Sequence, residues 1–342
     1  MSTSPIDAGN PNEPVITLKG PRVVNQQLGT PYADAGATAQ DSTDGDITSK
    51  IIVTGLSSIS TSSNGDYLIR YNVTDSIKLT AREVVRVVRV NGNGAFAVHT
   101  PHDIGTTGTH MAYWEHLPIH YSDNPNQKFP LIIFIHGWFH ARFLDSTDEQ
   151  VPLSDLENIY FDGIFNGAYA TWDNSRPFIV LSPQKCVDAL TYGETAYRMK
   201  LFIDYAVNTY QVDPTRIYIG GHSEGAGDAW DYLTNYPDQL AAVFPISGGY
   251  GTTSGCLLKD TPSWGFNGQD DTVVNPQDYF ATINSINACN PPERAKFTIL
   301  PGADHNGAPT EVLTLSGLGQ GVPGYDIYNP SIYDWLLAHS RP

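Results

Sequence analysis

The sequence predicts an α/β domain built on a mainly parallel sheet, preceded by a small all-β sandwich. Three observations carry this. Across residues 14–90, short β-branched runs alternate with turn clusters and show no helical period. From Leu131 onward, apolar runs of strand length alternate with helix-compatible stretches, the pattern of strands buried on both faces. At residues 217–227 one such run, Ile-Tyr-Ile, passes through Gly221-His222-Ser223-Glu224-Gly225 directly into a helical stretch.

Composition narrows the function classes. The chain has 342 residues, which suits one large domain plus a small one, and no apolar run approaches the length that crosses a bilayer. A formal net charge of -17 repels nucleic acid and anionic membrane surfaces, so nucleic-acid partners are not expected, and without a long apolar run neither is membrane insertion; the oligomeric state is left open, with a monomer favoured. Cys186, Cys256 and Cys289 form no CxxC spacing, which leaves no zinc site to expect. Cys256 and Cys289 both lie in loop-like sequence and would pair in an exported protein; three unpaired thiols fit the sequence equally well. Residues 1–13 are polar and read as extended or disordered, without the apolar core of a signal peptide. The protein then either stays inside the cell or begins after a removed signal, and the front domain favours the second, a secreted or cell-surface location.

In the front domain, strands are expected at 15–18, 22–25, 51–54, 67–73 and 83–90, with turns at Gly20-Pro21, Leu28-Gly29, Asp44-Gly45-Asp46 and Asn64-Gly65-Asp66. The last strand sets Val84, Val85, Val87 and Val88 around Arg86 and Arg89 without alternation, so it is expected to be bulged or covered on both faces. Asp41, Asp44 and Asp46 admit two readings. They are hard oxygen ligands suited to calcium, or they are the acids that tight turns use, and no Glu follows at EF-hand spacing. Residues 14–18, Tyr32 with Asp34, Gly36 and Ala37, Asp44-Gly45-Asp46 with Thr48, and Tyr71 with Val73, Thr74 and Asp75 together resemble the immunoglobulin-like modules of bacterial surface and secreted proteins. The domain is bounded at 14–91, and Asn91-Gly92-Asn93-Gly94 opens a linker and entry segment over 92–110.

The second domain is expected over 111–342. Strands at 111–119 and 131–135 are joined by a polar, hairpin-like stretch at 122–127. Residues 139–171 are aromatic and polar, and read as an insertion forming a wall or lid near the site. A strand at 178–182, a helix at 195–210 with Met199, Phe202, Ile203, Tyr205 and Ala206 on its apolar side, and strands at 241–246, 263–266 and 297–300 follow. A closing helix runs through Tyr333, Trp335 and Leu336.

The chemistry lies at the strand ends. A glycine-flanked serine between a strand and a helix is held in a strained turn with its hydroxyl exposed, whereas the bland alternative is a serine capping an ordinary helix. A serine hydroxyl needs a base, and the base needs an orienting acid. Asp270 and Asp271 follow the strand ending at Phe266 through the turn Asn267-Gly268-Gln269, and His305 follows the strand ending at Leu300. The order serine, aspartate, histidine is that of α/β-hydrolases. His136-Gly137 closes another buried strand, so the Trp138 amide is expected to supply one oxyanion donor and the Glu224 amide the other. Trp138, Phe139, Tyr160, Phe161 and Trp172 could furnish an aromatic wall, and aromatic side chains are also ordinary packing elements. His222 flanks the serine and is expected either at the substrate or in a structural role. No His-Glu-Xaa-Xaa-His pattern is present, and no metal or cofactor is expected.

Residues 112–335 resemble the secreted bacterial esterases related to polyhydroxybutyrate depolymerases and feruloyl esterases, in the branch often labelled predicted peptidases. The matching segments are Phe129 to Gly137, Ile179-Val-Leu-Ser-Pro-Gln, Val212-Asp-Pro-Thr-Arg-Ile-Tyr-Ile-Gly-Gly-His-Ser, Phe244-Pro-Ile-Ser-Gly-Gly and Ile332-Tyr-Asp-Trp-Leu-Leu. The resemblance implies an ester hydrolase with Ser223, His305 and an acid placed before Thr272-Val273-Val274, which selects Asp271 over Asp270. Short-acyl, aromatic feruloyl-type or polyester substrates are implied. A peptidase on the same residues, or an adhesion protein with an inactive hydrolase fold, are the alternatives. Two departures stand out: Glu224 replaces an uncharged residue after the serine, and Gly225-Ala226-Gly227 replaces the usual Gly-Gly.

Overall fold

The computed structural model describes residues 13–20, 23–63, 65–81, 83–91, 99–102, 111–118, 121–137, 142–143, 175–184, 186–187, 192–248 and 255–342. They fall into two compact units that divide after Phe96.

The front unit is two small sheets. One is three-stranded, β1 (Val15–Leu18), β3 (Ala37–Asp41) and β4 (Gly45–Asp46); the other is four-stranded in the order β2 (Val23–Gln27), β7 (Val84–Asn91), β6 (Gly65–Asn72), β5 (Ile52–Thr54). Ile16, Ala39, Ile47, Ile69, Tyr71, Val88 and Val90 form its core. Strand β7 pairs with β6 without a break from Val84 to Val90, so it is not bulged, and Val85 through Val90 are all buried, so both of its faces are covered. This explains its missing alternation, because a strand with no solvent face has no polar positions to alternate. Arg86 is fully buried there, and its guanidinium pairs with Asp34, which also accepts from Tyr71 Oη at 2.6 Å and Tyr32 Oη at 2.9 Å. A buried cation persists only when paired and hydrogen-bonded, and Arg86 has both. Asp41, Asp44 and Asp46 brace turns: Asp41 accepts from the Thr43 and Asp44 amides, Asp44 from Ser76 and Lys50, and Asp46 from the Thr48 amide. Among the described residues, no group of His, Cys, Asp and Glu is arranged to hold a metal ion.

The second unit is built on an eight-stranded sheet. Its order is β17 (Lys296–Leu300), β16 (Trp264–Gly268), β15 (Ala242–Ile246), β14 (Val212–His222), β10 (Phe129–Ile135), β12 (Ile179–Pro183), β9 (Tyr113–His116), β8 (His99–His102). Neighbours from β17 to β12 are parallel, while β9 and β8 close one edge antiparallel. A separate two-stranded pair joins β11 (Arg142–Phe143) to β13 (Cys186–Val187). The hairpin expected between the strands at 111–119 and 131–135 does not form, because β12 lies between β9 and β10. All seven residues of β10 are buried, so that strand takes the sheet centre with a parallel partner on each side.

The side chains of β10 alternate between two cores. Leu131, Ile133 and Ile135 join one with Met199, Phe202, Ile203 and Ala206 of α1 (Tyr192–Thr209), Trp230 and Leu233 of α2 (Glu224–Asn235), and Tyr279 and Ile283 of α4 (Pro276–Asn287). The other takes Ile132 and Phe134 with Val312 of α5 (Gly307–Leu313) and Tyr333 and Leu336 of α6 (Ile332–Leu337). The spacing Met199, Phe202, Ile203, Ala206 is one helical face. Cys256, in the short helix α3 (Gly255–Leu258), is disulfide-bonded to Cys289 just past α4, across a separation of 33 residues. In the chain-entropy account such a closure contributes about 3–4 kcal/mol.

One helix residue is placed against its own stability. Burial and the Asp228 carboxylate one turn back raise the Asp231 carboxyl from 3.8 to about 6. Its folded value lies above the unfolded one, so the penalty is absent below about pH 4 and fully felt above pH 6. Asp231→Asn is therefore expected to raise the melting temperature at pH 8 by about 2–4 °C, a gain of about 1 kcal/mol after allowance for solvent screening, with almost no gain at pH 4. Equal gains at both pH values would refute the charge as the cause.

Candidate active site

Ser223 sits on the turn between β14 and α2 with φ 54° and ψ -117°, a region that side chains other than glycine rarely adopt. The strain is imposed from both ends. The Ser223 amide donates to Ile246 O of β15 at 3.0 Å, and Ser223 O accepts from the Ala226 and Gly227 amides that begin α2. Gly221 and Gly225 make the turn possible: a Cβ on Gly221 would lie 2.3 Å from Gly225 O, and one on Gly225 would lie 2.3 Å from Ile135 O and 2.4 Å from His136 O. Although Ser223 stands at the N-cap position of α2, its side chain makes no capping bond. Its hydroxyl faces His305 instead, with Oγ 3.0 Å from Nε2.

His305 hangs from the turn after β17. Gly302, at φ 72°, reverses the chain, and Asp304 Oδ1 accepts from the Asn306 and Gly307 amides to start α5. The acid comes from the turn after β16: His305 Nδ1 is 2.9 Å from Asp271 Oδ2. A carboxylate only accepts, so Nδ1 carries the proton and the lone pair of Nε2 is turned to the Ser223 hydroxyl. Asp271 is buried, with 0% of its side chain exposed, and its Oδ1 accepts from the Val273 and Val274 amides at 2.9 Å each. Asp270 is exposed to solvent; what holds it is its amide, which donates to Ala303 O at 2.9 Å, while the Gln269 amide donates to Leu300 O at 2.9 Å. The acid and histidine turns are thus stitched to each other through the backbone.

Of the residues singled out by sequence, the structure brings Ser223, His305 and Asp271 into one hydrogen-bonded line. His222 is buried, and its Nε2 donates to His305 O at 3.0 Å with the two rings 4.8 Å apart, so it engages the histidine turn. Glu224 is half-buried at the first position of α2, where the positive end of the helix favours a carboxylate and where backbone amides have no acceptor within the helix. His136 is buried at the end of β10, its Nδ1 donating to Gly137 O at 2.7 Å. Trp138, Phe139, Tyr160, Phe161 and Trp172, and most of the stretch 139–171, lie outside the described residues.

Sequence reasoning passed over Asn267, which it treated as part of a turn. It is the fourth residue of β16 and fully buried, and its Nδ2 is 3.2 Å from Asp271 Oδ2. The available signal was a polar side chain closing an otherwise apolar strand four residues before the acid.

A mainly parallel sheet, helices on both faces and a strained serine turn between a central strand and its helix make this second unit an α/β-hydrolase fold. Comparison with known proteins adds four findings. Residues 16–90 match the bacterial surface protein Ig-like domain. The chain is 23% identical over 164 residues to poly(3-hydroxyalkanoate) depolymerase C of Paucimonas lemoignei, covering 48% of this chain and 37% of that one, so it spans little more than a third of that relative's length. It is 22% identical over 245 residues to acetylxylan esterase A of Emericella nidulans, covering 67% of this chain and 72% of that one. Among solved structures, a thermostable esterase superposes with a TM-score of 0.51 at 18% identity, covering 98% of this chain and 93% of that one.

Proposed function

We propose that the chain is an exported serine carboxylic-ester hydrolase, with residues 111–342 as its catalytic domain and residues 14–91 as an immunoglobulin-like spacer. The observation that carries this reading is the line Ser223 Oγ, His305 Nε2, His305 Nδ1, Asp271 Oδ2, with contacts of 3.0 and 2.9 Å. His305 Nε2 accepts the Ser223 proton as Oγ bonds to the ester carbonyl carbon. Asp271 stabilises the imidazolium so formed, which then gives its proton to the leaving alcohol as the C–O bond breaks. Water, deprotonated in turn by His305, attacks the acyl-enzyme, and the acid leaves as Ser223 regains its proton. On sequence position, the Trp138 and Glu224 amides hold the oxyanion, and Trp138, Phe139 and Trp172 form the substrate wall.

The relatives named for polyester and acetylated-xylan hydrolysis support an ester as the reacting bond, and a polymer or short-acyl ester as the substrate class. The Cys256–Cys289 bond and the surface-protein type of the front domain support an extracellular location. The test is turnover of p-nitrophenyl acetate titrated with a fluorophosphonate. One equivalent attached at Ser223 is expected to stop hydrolysis. Activity that survives complete labelling would refute the reading, and an anilide hydrolysed as fast as the ester would make the enzyme a peptidase.

A further inference from the structure

Asp271 Oδ2 has two donors. One is His305 Nδ1; the other is Asn267 Nδ2 at 3.2 Å, from a side chain fully buried in β16. Asn267 Nδ2 also lies 3.2 Å from Gly268 O, so the amide nitrogen sits between two groups that only accept, which fixes its orientation with N–H toward the carboxylate. Burying an amide in a sheet interior costs free energy unless its hydrogen bonds are made; here the nitrogen meets the acid that orients the histidine and the Gly268 carbonyl, while Asn267 Oδ1 is buried without a hydrogen-bond partner among the described residues.

We propose that Asn267 is a positioning residue that draws charge from Asp271 Oδ2 and thereby sets the pH at which His305 becomes a base. The inference rests on the serine-hydrolase reading above. Every hydrogen bond donated to a carboxylate lowers its basicity. With Oδ1 committed to the Val273 and Val274 amides, Asn267 is the donor that competes with His305 for Oδ2. Its removal leaves a more basic carboxylate, a more stable imidazolium, and a histidine that keeps its proton to higher pH. The other groups around His305 are fixed in the comparison: the Ser223 hydroxyl at Nε2, the His222 ring 4.8 Å away with its Nε2 on the His305 carbonyl, Glu224 heading α2, and Asp270 and Asp304 in the adjoining turns, both exposed.

The experiment is the pH profile of kcat/KM for p-nitrophenyl acetate in wild type, Asn267→Leu and Asn267→His. Asn267→Leu keeps the number and branching of the side-chain heavy atoms and loses the donor. Its acid limb is expected to move up by about half to one pH unit, with kcat at neutral pH down by no more than about three- to tenfold and KM within about twofold. Asn267→His restores an N–H of similar reach and is expected to return the limb to the wild-type position or below. If the branched side chain prevents folding, Asn267→Ala reads the same limb, and the low-field Nδ1 proton resonance of His305 followed against pH reads it without substrate. An unmoved limb in a folded Asn267→Leu or Asn267→Ala protein overturns the proposal, even if stability falls. Wild-type hydrolysis by Ser223→Ala would overturn the underlying reading instead, so the two failures are distinguishable.

Discussion

Replacing Ser223 by alanine is expected to lower kcat for p-nitrophenyl acetate by about 10⁵- to 10⁶-fold. The substitution removes one oxygen, the only atom of the side chain that meets His305, and leaves the backbone ties to Ile246, Ala226 and Gly227 in place. Stability is expected to hold or rise slightly, because the hydroxyl makes no helix cap. The residual rate would be that of general-base attack by water on a bound ester, in a site still able to polarise the carbonyl. Folded protein retaining even one per cent of wild-type turnover would require a different nucleophile.

Gly225→Ala carries the second large effect, and it acts through sterics. The new methyl would stand 2.3 Å from Ile135 O and 2.4 Å from His136 O, both backbone atoms at the end of a strand buried on both faces. Neither carbonyl can swing aside as a side chain end would, so α2 must retreat from β10. Overpacking usually costs about 1–3 kcal/mol, and a clash with two fixed carbonyls belongs at or above the top of that range. The expected result is a melting temperature lower by about 6–12 °C and a kcat reduced at least about 100-fold, since the retreat displaces Ser223 from His305. An unchanged melting temperature together with unchanged kcat would mean that the turn accommodates a Cβ, contrary to the geometry.

The serine turn was legible because its chemistry is local: two glycines, a strand before and a helix after. His305 and the pair Asp270 and Asp271 were legible because each follows an apolar strand and strand ends in a parallel sheet converge; the choice of Asp271 within the pair came from the family resemblance. What could not be read was pairing at a distance. The polar stretch between β9 and β10 looks like a hairpin turn, and nothing within it records that β12, some 60 residues further along, inserts between them. Asn267 was misplaced for a related reason. Asn-Gly is a common turn pair, and only the neighbouring strands, β15 and β17, reveal that this one is still inside the sheet. For β7 the sequence left two options, a bulge or cover on both faces, and the choice between them depended on its unbroken pairing with β6 and on the burial of residues 85–90.

The backbone stitches between the turns after β16 and β17 have a mechanical meaning. Gln269 to Leu300 and Asp270 to Ala303 tie the acid turn to the histidine turn and so hold the two side chains side by side at 2.9 Å. Ser223 is clamped to Ile246 at the head of α2, and its neighbour His222 donates to His305 O at 3.0 Å. The serine and histidine turns are thus tied by a ring nitrogen as well as by the 3.0 Å contact between Ser223 Oγ and His305 Nε2, across which the proton moves in the proposed reaction.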